Sequence, residues 1–61
     1  MAAVDNVARA ARNLITEHGP LAESIARARA KNATESDREE VANIWRDIAS
    51  EVRRLQDHAR R

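Results

Sequence analysis

The 61-residue chain contains no cysteine and has one glycine, one proline and one aromatic residue. Without cysteine it can form neither a disulfide nor a thiolate metal site, so packing and helix capping must hold it together. With Gly19 as the sole glycine, the chain cannot build a glycine-rich phosphate loop or a nucleophile elbow. A stacking platform for nucleic-acid bases needs several aromatic side chains, and Trp45 alone does not supply one.

The chain also lacks an excess of either charge and lacks a long apolar run. Its 11 basic and 10 acidic side chains nearly cancel, so no strong field would gather nucleic acid or anionic lipid. No stretch approaches the roughly 20 apolar residues that span a bilayer, and Arg9 and Arg12 interrupt the N-terminal apolar segment. We therefore expect a cytoplasmic protein with no membrane insertion, whose residues 1–15 belong to the mature fold rather than to a transit peptide.

Apolar residues recur at intervals of three and four, which is typical of amphipathic helices. In the first segment they are Val4, Val7, Ala8, Ala11, Leu14 and Ile15. Gly19 suits a helix end, and Pro20 suits the first position of the next helix. The sequence predicts a single all-α domain over residues 1–61, a three-helix chain with helices at about 3–18, 20–32 and 37–59.

The second segment offers two possible packing sides. Leu21, Ile25 and Ala28 share one side, while a set of alanines lies about a quarter-turn away. These are Ala22, Ala26 and Ala33. The alanines permit close approach of a neighbouring helix, but exposed alanine is equally consistent with this pattern because of its high helix propensity. Residues 32–35 are then expected to form a loop, followed by a capping box between Ser36 and Glu39.

The third segment has the heptad spacing of a helix seam. The seam residues are Val41, Trp45, Ile48, Val52, Leu55 and Ala59, with Ile44 alongside. This helix would be about 34 Å long against about 22 Å for the first, so we expect it to overhang its partner. Val52 and Leu55 on the overhang would lack a partner within one chain, which predicts that a homodimer completes the core.

Charged side chains flank this seam with opposite signs, as they do where helices select a partner. Arg46, Arg53 and Arg60 lie along one border, and Glu40, Asp47 and Glu51 along the other. The residues predicted to form an interface are Trp45, Ile48, Val52, Leu55, Arg46, Arg53 and Glu51. Trp45 is expected to anchor the core, with an interface hot spot as the alternative.

No constellation of catalytic or metal-binding residues is evident. His18 and His58 fall at the ends of different helices, and no pair has metal-site spacing. Asp47 and Glu51 lie one turn apart, but nothing else converges on them. We therefore expect no enzymatic activity, no cofactor and no metal, and predict a homo-oligomeric module that contacts or regulates a protein partner of unknown identity.

The chain also resembles a group of known proteins. The His18-Gly19 turn and the pattern W-x-x-I-x-x-x-V-x-x-L from Trp45 to Leu55 are similar to those of small alphaproteobacterial helical proteins of unknown function. The resemblance covers about residues 14–56 and implies a cytoplasmic helical fold with no known activity. The chain departs from this group in the loop before the last helix, where a glycine is expected and Ala33-Thr34 and Ser36-Asp37 are found.

An alternative is a nucleic-acid-binding regulator. Residues 21–42 superficially resemble the opening helices of a repressor-type helix-turn-helix domain. The basic residues that would contact phosphates are Arg9, Arg12, Arg27, Arg29 and Lys31. The absence of glycine from the turn, and the use of the last helix as a seam, count against this alternative.

Overall fold

The computed structural model describes the backbone of residues 2–59 and the side chains of residues 6–59. Helix α1 spans Ala2–His18, α2 spans Ala22–Glu35 and α3 spans Glu39–Ala59, with a 3-10 turn at Gly19–Leu21. No strand occurs between residues 2 and 59, so the all-α class is confirmed. The side chain of Val4 and all of Arg60, both named above, lie outside the described residues.

The junction between α1 and α2 is a tight helical turn rather than a break. Gly19 has a φ of +56°, a left-handed conformation that glycine adopts without steric cost. Pro20 occupies an early position of the 3-10 turn, where its missing N–H is not needed. No loop therefore separates the two helices. Helix α1 ends at His18, the 3-10 turn Gly19–Leu21 reverses the direction of the chain, and α2 begins at Ala22.

The connection between α2 and α3 differs from the expectation. Residues 32–35 are helical, so the predicted loop is wrong, and Ser36 is the C-cap of α2. The N–H of Arg38 donates to the Ala33 carbonyl at 2.8 Å, and the N–H of Asp37 donates to the Thr34 carbonyl at 3.1 Å. This is the hydrogen-bond pattern of a Schellman motif, with Asp37 at a φ of +59° in the left-handed position.

The predicted capping box is also wrong, because Ser36 ends α2 instead of starting α3. Helix α3 begins at Glu39, and the Arg38 carbonyl accepts the first bond, from the N–H of Ala42 at 2.9 Å. Ser36 was predicted to be the N-cap of the third helix, but its N–H is occupied by the Asn32 and Ala33 carbonyls. The connection between the two helices is thus only residues 36–38.

Helix α3 packs against both other helices, parallel to α1 and antiparallel to α2. Toward the end of α2, Thr34 accepts a hydrogen bond from Arg46 near the start of α3. At the other end, the Gln56 side chain donates to the Gly19 carbonyl at 2.9 Å. Since the turn between α1 and α2 lies beside the last turns of α3, both preceding helices run along most of its length.

The core consists mainly of alanine. Within residues 6–59, the buried hydrophobic residues are Ala11, Leu14, Ala22, Ala26, Ala30, Ala33, Ala42, Ile48, Ala49 and Val52. Alanines of α2 face alanines of α3, which allows the two helices to approach closely. The alanine side of α2 is therefore the packed side, whereas Leu21 and Ala28 of the other predicted side are exposed and Ile25 is only half-buried.

The predicted overhang of the third helix is also wrong. Val52 is 0% exposed within the single chain and is its largest fully buried side chain. Leu55 is half-buried and packs against the same core. Both residues find partners because α1 and α2 meet α3 together near Gly19, and only Val41 and Ala59, at the two ends of the seam, are exposed.

Candidate interaction surface

The structure divides the predicted interface residues into buried and exposed groups. Val52 is fully buried and Ile48 is 4% exposed, so both side chains pack mainly in the chain's own core. The apolar contacts that heptad spacing indicates for these two residues are made within the chain, where they belong to the same buried cluster as Ala22 and Ala26 of α2. Leu55 and Trp45 are half-buried at the edge of that core.

Trp45 packs against the core at the junction of α2 and α3. The guanidinium carbon of Arg29 lies 5.0 Å from the centroid of the Trp45 ring, within the range of a cation–π contact. This contact covers part of the indole that the alanine core leaves exposed. Arg29, predicted as a possible phosphate contact, is thereby positioned beside an aromatic ring of its own chain.

Arg46 links the start of α3 to the end of α2. Its Nη2 donates to Thr34 Oγ1 at 3.0 Å, its Nη1 donates to Asn43 Oδ1 at 2.7 Å, and Glu39 lies 3.9 Å away. All of these groups are solvent-exposed or nearly so, so the ion pair itself contributes little. Arg46 is thus engaged within the chain.

The other two charged residues of the predicted interface form pairs along α3. Arg53 lies 3.8 Å from Asp57. Arg54 donates from Nε to Glu51 Oε1 at 2.9 Å, and this hydrogen bond holds the pKa of Glu51 below its ordinary value of 4.5. The positive charges of Arg54 and Arg12 act in the same direction, and partial desolvation opposes them.

The five basic residues of the nucleic-acid alternative are all exposed but lie on two helices that flank α3. Arg9 and Arg12 lie on α1, whereas Arg27, Arg29 and Lys31 lie on α2. Arg27 pairs with Glu23 at 2.9 Å, and Arg29 contacts Trp45. Moreover, α2 and α3 lie antiparallel along their lengths, unlike the steeply crossed helices of a helix-turn-helix motif.

The remaining titratable candidates do not converge. His18 is half-buried at the end of α1 and His58 is exposed near the end of α3. Asp47 is exposed, while Glu51, one turn later, binds Arg54. Among the residues that the structure describes, no three histidine or carboxylate side chains lie close enough together to hold a metal ion.

A surface that the sequence did not single out lies between α1 and α3. It is a groove of about 360 Å³ lined by Asn6, Val7, Ala10, Ile44, Asp47 and Ile48, and we call it the α1–α3 groove. Ile44 is 51% exposed at its edge, and Val41, one turn earlier, is 39% exposed. The groove combines apolar side chains with one carboxylate, from Asp47, and one amide, from Asn6.

The sequence contained one signal for this surface. Ile44 lies beside the heptad positions of α3 rather than on them, so the third helix carries more large apolar residues than one seam requires. Periodicity alone does not show which of two adjacent stripes faces the core. The half-buried Val7 and Ala10 of α1 are likewise apolar positions that the fold does not fully cover.

None of the helices described in the structure is sufficiently long and apolar to cross a membrane. No known family model matches the chain, and no curated protein or solved structure is significantly similar to it.

Proposed function

We propose that this chain is a small helical protein-interaction module that acts as a homo-oligomer and works by binding rather than by catalysis. The observation that carries the proposal is the distribution of its large apolar side chains. Within residues 6–59, Leu14, Ile48 and Val52 are buried in the core, whereas Leu21, Val41 and Ile44 are exposed. One of these exposed residues, Ile44, lines the α1–α3 groove, and an exposed apolar surface beside a groove is typical of an interaction site.

Sedimentation velocity on the full chain tests the proposal directly. We expect a species of about twice the 6.8 kDa chain mass at high micromolar concentration, dissociating on dilution. Small-angle scattering provides a second measure, because a compact dimer should have a radius of gyration of roughly 14 Å, against 11.3 Å for the Cα atoms of one chain. A sharp monomer at every concentration up to the millimolar range would contradict homo-oligomerisation.

We do not propose nucleic-acid binding as a second function, because the basic side chains form no single groove and two of them are engaged within the chain. Binding to phosphates must weaken steeply with added salt. A gel shift of random duplex DNA at low salt that disappears at moderate salt would revive this alternative.

A further inference from the structure

We draw no further inference here: the strongest candidate, the apolar α1–α3 groove with Ile44 exposed at its edge, carries nothing because nothing in the structure shows what covers it.

Discussion

Replacing Gly19 by alanine tests the turn that joins α1 to α2. Gly19 has a φ of +56°, and a Cβ placed there would meet nothing within 4 Å. The cost is therefore purely conformational. A left-handed backbone costs an L-residue about 1–2 kcal/mol, and the lower entropy of the unfolded alanine chain offsets about 0.4–1 kcal/mol of this. We expect Gly19→Ala to lower the free energy of unfolding by about 1 kcal/mol.

For a chain of this length, a loss of 1 kcal/mol corresponds to a melting temperature lower by about 8 °C. Thermal and urea unfolding followed by circular dichroism at a fixed protein concentration would measure this. Gly19→Asn is the matched control, because asparagine tolerates the left-handed conformation. This variant should lose clearly less unfolding free energy than Gly19→Ala. If alanine is tolerated as well as asparagine, residue 19 does not hold a positive φ in solution and the description of the turn is wrong.

Three further substitutions test other features of the fold. Asp37→Gly should raise the unfolding free energy by up to about 1 kcal/mol, because glycine is the preferred residue at the left-handed position of a Schellman motif; an unchanged or lower urea midpoint would argue against that motif. Val52→Ala should cost roughly 2 kcal/mol in urea unfolding through lost burial and the cavity left behind, whereas Val41→Ala should cost far less because Val41 is exposed. The lowered pKa of Glu51 stabilises the folded state at pH values above the ordinary pKa of 4.5. This stabilisation is lost as the pH falls through the lowered pKa. Glu51→Gln should therefore make stability less dependent on pH below about 4.5, and an identical acid-unfolding profile would contradict the Arg54 pairing.

The helical class and the position of α1 follow from local signals in the sequence. The spacing of Ala11 and Leu14 identifies the buried side of α1, and Gly19-Pro20 marks its end within a residue. These predictions succeed because each depends on residues fewer than five positions apart. The left-handed conformation of Gly19 at a helix end can be predicted without knowledge of the tertiary structure.

The end of α2 was mispredicted for a reason that is also local. Ser36 followed by Glu39 has the form of a capping box, and the same residues can end one helix or begin another. The structure resolves the ambiguity through Asp37, which adopts the left-handed conformation that glycine normally takes.

The overhang prediction is wrong at Val52 because the sequence pattern does not show that the alanine side of α2 packs on α3. Within residues 6–59, seven of the ten buried hydrophobic residues are alanine, four of them on α2. An alanine face lets helices approach closely but removes little apolar area from water, since burial contributes in proportion to area. A chain of 61 residues built in this way has a small core and has side chains such as Ile44 left over. The same composition that closes the α2–α3 contact therefore leaves the α1–α3 groove, with Ile44 at its edge, uncovered by the chain's own side chains.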